Sequence, residues 1–519
     1  MFLGRLRSVG RLVPRGLVPT NPRGSFPAQL PWRAQLRSGS FPLLVAITLG
    51  FLIFRSPLLV WGDTWFNLVL GREVAAFGII HTDSTTALGL GTPVVDIQWL
   101  AHLVFYAVVD QVGIAGLALI GAVWIGCSIL LGGAMALRIG ATPGRVLLTS
   151  LMVFAVLGSS LVLRAQTVVF PMLVLFPAIL WRDARAPSAR TWFLVPAAVL
   201  WANLHGSVLL APIFGGALLA ARALDARRTG QSISWRLAVR DGALTLALLS
   251  SIAATPYGLA VWRYYRQTAG NPIFREFVTE WWPLWASPDV EKVALLLVIA
   301  YAILRSWRRV DSFPLLVLGG LCLMQVTSIR HATPLALACL VLLPQLLDEA
   351  LGQHFPMEFP EFSPRLAAST LAVTTTIFVI GLPSIVGKVV VPPGPASPEA
   401  SVAAESGRQC ILADEQQADR LMWYFPLLMG RLTHSARVET MPATFVKRLG
   451  SAYTVPDAAV SREFFRQYPL VAIDDRLNAR VVEALSRDHQ FEAVGTSRSF
   501  HVFRNRRAAS LADPCAPSG

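Results

Sequence analysis

The sequence predicts an α-helical polytopic membrane protein of about 11 transmembrane helices, followed by a small C-terminal α/β domain. Three observations carry this reading. Hydrophobic residues make up 54% of the chain and charged residues only 15%, with a mean hydropathy of +0.54, a balance foreign to soluble globular chains. Apolar runs recur at the length of about 17–25 residues that a bilayer crossing needs. Beyond residues 392–398, Pro-Pro-Gly-Pro-Ala-Ser-Pro, polarity rises and short apolar strands begin to alternate with amphipathic helices.

In chain order, residues 1–40 form a Pro/Arg/Gly/Ser tail expected to be disordered, with seven arginines and no acid. Spans follow near 41–61, 113–137, 146–163, 167–181, 191–203, 206–224, 239–256, 290–307, 313–328, 331–347 and 366–386. Several are short, notably the pair around Asn203-Leu204-His205-Gly206, which reads as a broken or re-entrant helix. The membrane domain thus occupies 41–387, a stiff Pro-rich linker 388–398, the α/β domain 399–507 and a second tail 508–519. Within the α/β domain the expected strands are Gln409–Ala413, Leu470–Ile473, Phe491–Val494 and Phe500–Phe503. Helices are expected around Gln416–Tyr424, Ala443–Leu449 and Asn478–Asp488. Asp474-Asp475 after the second strand reads as a turn or helix cap rather than a ligand site.

Orientation follows from arginines in short loops. The basic tail places the N-terminus in the cytoplasm, and alternation puts Arg138/Arg145, Arg182/Arg185/Arg190, Arg222/Arg227/Arg228/Arg236/Arg240 and Arg305/Arg308/Arg309 there too. Residues 348–365 dissent mildly, with Asp348, Glu349, Glu358 and Glu361 against Arg365. The formal charge of +14 sits mainly in the tail and these loops and calls for anionic lipid headgroups, not nucleic acid. The expected location is the inner membrane, with the C-terminal domain extracytoplasmic. Cys410 and Cys515 both fall in that outer region and are candidates for a disulfide, which spacing alone does not establish.

Alternation also sends every polar motif of the apolar region to the outer face. These are Gly62-Asp63-Thr64-Trp65, His81-Thr82-Asp83, Asp96, Arg164-Ala165-Gln166, Asn203-Leu204-His205-Gly206, Pro256-Tyr257-Gly258, Glu280-Trp281-Trp282 and Arg330-His331. Asp63 opens the first outer loop, where it serves either as a helix N-cap or interfacial charge, or as a reactive carboxylate. Asp83 and Asp96 share that loop, and three carboxylates there are suited to holding a divalent cation or activating a hydroxyl. Arg164, with Gln166 beside it, and Arg330, with His331 beside it, interrupt apolar spans at tight turns. Both fit phosphate recognition, or snorkelling anchors. Asn203 and His205 are costly in lipid and should face a cavity, unless they only break and pack helices. Glu280 lies in an aromatic segment suited to an interfacial helix or to the wall of a sugar- or lipid-binding groove.

The run Asp63-Thr64-Trp65-Phe66-Asn67-Leu68, a helix, and then Gly78-Ile79-Ile80-His81-Thr82-Asp83 resembles the GT-C superfamily, polytopic glycosyltransferases that use polyprenyl-phosphate-linked sugars. The first five of these residues are similar to the first-loop motif of oligosaccharyltransferase catalytic subunits. Across residues 41–505 the chain also resembles a group of bacterial membrane proteins with an Asp-x-Trp loop, an Arg-x-Gln turn and a Trp-x-Asn-x-His-Gly helix break. It departs from the enzymes in lacking an adjacent acidic pair at position 63 and a Trp-Trp-Asp motif in the outer domain.

The resemblance implies a polyprenyl-phosphate-linked sugar donor and an envelope glycan or lipid acceptor. It implies Asp63 as catalytic base, with Asp83, Asp96, Arg164, Gln166, Asn203, His205, Glu280, Arg330 and His331 as substrate-binding candidates. A transporter or flippase of envelope lipid or glycan, and an inactive GT-C-like scaffold, are the alternatives.

Overall fold

The computed structural model describes residues 40–269, 271–352, 363–395, 397–405, 410–497, 499–507 and 514–515. The N-terminal tail (all but Ser40), most of 508–519, Gln409, Glu358 and Glu361 lie outside the described residues.

Each expected span coincides with a helix. They are α1 (Ser40–Leu59), α3 (Trp99–Ile139), α4 (Pro143–Gly158), α5 (Phe170–Arg185), α6 (Leu194–Leu204), α7 (Leu210–Thr229), α8 (Trp235–Ser251), α9 (Val290–Ser306), α10 (Ser312–Thr327), α11 (Ala332–Leu351) and α12 (Pro364–Val389). A further helix, α2 (Asp63–Phe77), follows α1. Among the described residues, five helical stretches are long and apolar enough to cross a membrane: Phe41–Leu59, Trp99–Ile139, Gly206–Thr229, Ile329–Leu351 and Ala368–Val389. Length and composition thus mark five crossings, fewer than the eleven expected; Pro143–Gly158 and Ser312–Thr327 are apolar but shorter.

α11 is buried along nearly its whole length, and α3, α4, α5, α9 and α10 pack around it. Its apolar side chains, Leu335 to Leu347, stay dry on all sides, as in a helix that is hydrophobic all round. α3 bends at Gly113, whose φ of 71° is left-handed and suits glycine. The bend separates residues 99–112 from the apolar span that follows. Asn203 marks the α6–α7 break. It accepts from Trp99 Nε1 (3.0 Å) and donates to the Val199 and Ala254 carbonyls (2.8 and 2.9 Å).

At the end of the helices remote from α2, charged side chains pair with one another. Asp183 and Asp241, both buried, hold Arg222 (2.8 and 2.6 Å) and Arg240. Asp311 takes Arg185 at 2.6 Å, and Asp348 lies 3.7 Å from Arg145 and accepts from Thr142. Several arginines expected to face lipid headgroups are therefore neutralised inside the protein, and Asp348 belongs to that network.

The C-terminal domain is a four-stranded mixed sheet with β1 (Ile411–Ala413), β2 (Leu470–Asp474), β3 (Phe491–Ser497) and β4 (Phe500–Asn505) in the order β1-β2-β4-β3. β1 and β2 are parallel, and β4 is antiparallel to both β2 and β3. Helices α13 (Glu415–Tyr424), α14 (Ala443–Thr454), α15 (Ala459–Arg466) and α16 (Asp475–Arg487) cover it. α15 was not expected from the sequence; its eight residues are short, but Phe464 and Phe465 anchor it in the core. Asp474 caps α16 by accepting from Arg476 N at 3.0 Å. Cys410 and Cys515 form a disulfide, their Cα atoms 5.9 Å apart.

This domain is bolted to α2 and the loop that follows it. Gly430 N donates to Thr85 O, Ala87 N to Leu432 O, and Leu88 N to Thr433 O. Arg72, from α2, donates to the Met422 and Trp423 carbonyls at the end of α13. Loop and domain share backbone hydrogen bonds as one folded unit would.

Candidate functional site

Between the α2 end of the helices and the C-terminal domain lies a cavity of about 530 Å³, within the range of small-molecule sites. Its walls come from places distant in sequence.

The start of α2 provides Asp63. Gly62 precedes it with φ 49°, and a side chain there would meet Gln416. Asp63 is the first residue of α2, after the Gly62 cap, and it lines the cavity. Thr64 fixes this corner: its hydroxyl donates to Leu163 O at 2.7 Å, and Leu163 N returns a bond to Leu59 O at 2.8 Å. The 159–164 turn is thereby clamped against α2, and Arg164 comes within 3.5 Å of Asp63.

The aromatic segment provides Glu280, whose carboxylate binds Arg164 at 2.5 Å. This segment is docked on the α10–α11 turn by Ile329 N to Trp282 O, Leu284 N to Val326 O and Ser328 Oγ to Glu280 O. The same docking sets the Arg330 guanidinium 4.2 Å from the centre of the Trp281 ring, a cation–π contact. Gln166 and His205 complete the membrane-domain wall. His205 Nδ1 accepts from Ser207 N (3.0 Å) and pairs with Ser207 Oγ (2.8 Å). Burial, with the charges of Arg330 and Arg164 nearby, pushes its pKa down to about 3. The imidazole is neutral, and Nε2–H is its free donor.

Six expected residues (Asp63, Arg164, Gln166, His205, Glu280 and Arg330) therefore meet around one cavity. The other four do not line it. Asp83 is buried in a turn, accepting from Thr85, Thr86 and Thr440, so the three loop carboxylates do not converge. Asp96 is buried behind the wall, 3.0 Å from His102 Nδ1. Asn203 is spent on the helix break, and His331 Nδ1 sits 3.0 Å from the Met324 carbonyl, closing the end of α10. Among the described residues, no group of three or more His, Cys, Asp or Glu side chains is placed to hold a metal ion.

Asp63 and Glu280 share Arg164 unequally, and this divides their chemistry. Asp63 is 45% exposed, towards the cavity, yet enclosure by protein raises its pKa; Arg164 opposes this and the Glu280 charge reinforces it. Arg164, helped by Arg330, holds Glu280 below the usual carboxylate range against the cost of enclosure. Enclosure works against the Arg164 charge, but the two carboxylates raise its pKa further. Glu280 is the arginine's ion-pair partner, and Asp63 is the more basic acid. Acids pushed apart in this way take different roles.

The C-terminal domain supplies the facing wall, including Glu415, Gln416, His434, Arg437, Glu439 and Tyr453. None of these stood out in the sequence. Glu415 and Gln416 do carry one signal: they lie just past the end of β1, which is parallel to β2, and ligands in such sheets gather at the carboxyl ends of parallel strands.

No protein-family model matches this chain, and no curated protein matches it. Among solved structures it is similar in overall shape to ArnT from Cupriavidus metallidurans, both in the apo state and bound to undecaprenyl phosphate. The TM-score is 0.48 in each case, the identity 13% and 14%, and the match covers 91% of this chain and 98% of that one. The chemistry of the site follows from its own residues.

Proposed function

We propose that this protein is a membrane glycosyltransferase that moves a sugar from a polyprenyl-phosphate donor to an envelope acceptor at the extracytoplasmic face. The observation that carries the reading is the pairing of a basic carboxylate, Asp63, with Arg164 and Arg330 on one cavity beside the apolar helices. Asp63 removes the proton from an acceptor hydroxyl as the oxygen attacks the anomeric carbon. The bond from that carbon to the phosphate oxygen breaks, its electron pair leaving with the polyprenyl phosphate. One displacement inverts the anomeric centre. The leaving group is a phosphate anion, so stabilisation by Arg164 or Arg330 takes the place of a general acid. Glu280 keeps Arg164 charged and aimed, and His205 offers a neutral N–H to the sugar or acceptor. The Cys410–Cys515 disulfide supports the extracytoplasmic side, where disulfides persist.

A transporter would place exchangeable polar groups through the membrane depth and at both ends. The charges at the remote end are instead closed on one another, which favours the enzyme. The test is the envelope glycan and polyprenyl-phosphate-sugar profile of cells carrying wild type or Asp63→Asn at matched protein levels. Accumulated lipid-linked sugar with loss of one glycan decoration supports transfer. An unchanged profile beside a defect in the deletion strain overturns it.

A further inference from the structure

Arg437 differs from the other arginines of the cavity in its place and its partners. It belongs to the C-terminal domain, in the irregular segment before α14, and is only 5% exposed. Its nearest carboxylate, Asp96, lies 3.8 Å from Nη2, beyond hydrogen-bond distance, and is engaged by His102. The Phe66 ring centre is 5.8 Å from the guanidinium carbon. Nη1 is buried and has no hydrogen-bond partner in the protein, although Arg437 lines the cavity. Arg164, by contrast, already holds two carboxylates at Nη1, Glu280 at 2.5 Å and Asp63 at 3.5 Å.

A guanidinium presents a rigid fork of N–H donors matched to phosphate and carboxylate. A guanidinium that is buried, charged, lines a cavity and keeps an unpartnered N–H is poised for an anion entering that cavity. Asp96 supports this role from behind. Burial alone would raise its carboxyl, but the His102 imidazole, the hydrogen bond from it and Arg437 hold it below the usual range. It stays ionised and steadies the guanidinium without consuming its donors.

We propose that Arg437 is an anion-binding residue for the second substrate, so that the acceptor carries a phosphate or carboxylate group near the hydroxyl that is glycosylated. This rests on the transferase reading, with Arg164 and Arg330 on the donor phosphate and Arg437 on the acceptor. Asp96, expected from the sequence to touch substrate, becomes a positioning residue for Arg437.

The test uses the full-length protein in detergent, saturated with geranyl phosphate, and titrated calorimetrically with inorganic phosphate and separately with acetate. Wild type binds one of these as a second anion, and which one distinguishes a phosphoryl from a carboxyl acceptor. Arg437→Gln weakens that binding about tenfold or more, the value of a charged hydrogen bond, and leaves geranyl phosphate affinity unchanged. Arg437→Lys keeps the charge and retains part of the binding, which also guards against a misfolded glutamine variant. Asp96→Asn weakens the second anion alone and adds nothing to Arg437→Gln, whereas a merely structural role would disturb both ligands additively. Equal second-anion binding by wild type and Arg437→Gln, or none by wild type, overturns the proposal. Failure of wild type to bind geranyl phosphate overturns the donor reading alone; phosphate or acetate binding that still depends on Arg437 would uphold the anion site.

Discussion

Two ion-pair clusters stand at opposite ends of the helices, built from the same side chains to different effect. At the remote end Asp183 and Asp241 face Arg222 and Arg240 across α5, α7 and α8. Both aspartates are buried, and Asp183 also accepts from Ser188 N (2.7 Å) and the Thr191 hydroxyl (2.6 Å). At the cavity end Asp63 and Glu280 crowd one guanidinium, Arg164, and are 45% and 44% exposed. The first cluster uses up its charges on itself and joins three helices. The second leaves its acids open and drives their proton affinities apart. Charge inside a membrane protein is structural when its partners close around it and chemical when a cavity keeps one side open.

The largest expected effect tests the open cluster. Asp63→Asn should lower sugar transfer by about 10²–10⁴-fold, the usual worth of a general base, while the thermal midpoint in detergent stays near wild type. An equal loss of stability would mean that Asp63 is structural after all. The mirror experiment is Asp241→Ala. Removing one of the two buried partners of Arg222 and Arg240, with Asp183 left to face both, should cost about 3–5 kcal/mol, read as a lowered midpoint and a smaller folded yield. The fraction that does fold should keep its specific activity.

A pH profile sharpens the contrast further. Asp63 must be ionised to accept a proton, and its pKa is raised by enclosure. Activity should therefore fall as pH drops, with the acid limb lying above the ordinary carboxylate range. His205, already neutral with a pKa near 3, should add no inflection between pH 5 and 8. The smallest effect belongs to Glu280→Gln. It removes one acid from Arg164 and relieves its pressure on Asp63, so the acid limb should move to lower pH with about a tenfold or smaller loss of rate. An unmoved limb would show that the two carboxylates do not sense each other.

Much of the membrane domain was legible in the sequence because the bilayer imposes a rule that the residues must meet one by one. Apolar runs had to be helices, so all eleven runs were. The number of crossings was less legible, because helices such as α6 and α8 are short or carry charge and owe their burial to neighbours. In the C-terminal domain the four strands were readable from apolar runs between turns. α15 was missed because two phenylalanines in a short polar stretch look like a helix only once the core that receives them exists.

The site divides along the same line. The sequence by itself determined which polar groups interrupt the apolar helices, since each interruption is costly and stands out: Asp63, Arg164, Gln166, His205, Glu280 and Arg330. It could not tell them from Asp83, Asp96, Asn203 and His331, which interrupt the pattern equally but spend their hydrogen bonds on turns, helix ends and a neighbouring imidazole. Nor could it reach Arg437, Glu415 or Glu439, which are ordinary charges in a polar domain and become cavity walls only by docking. Cost is local to the residue, but hydrogen-bond partners and cavities are made by segments hundreds of residues apart, and only the tertiary structure brings those together.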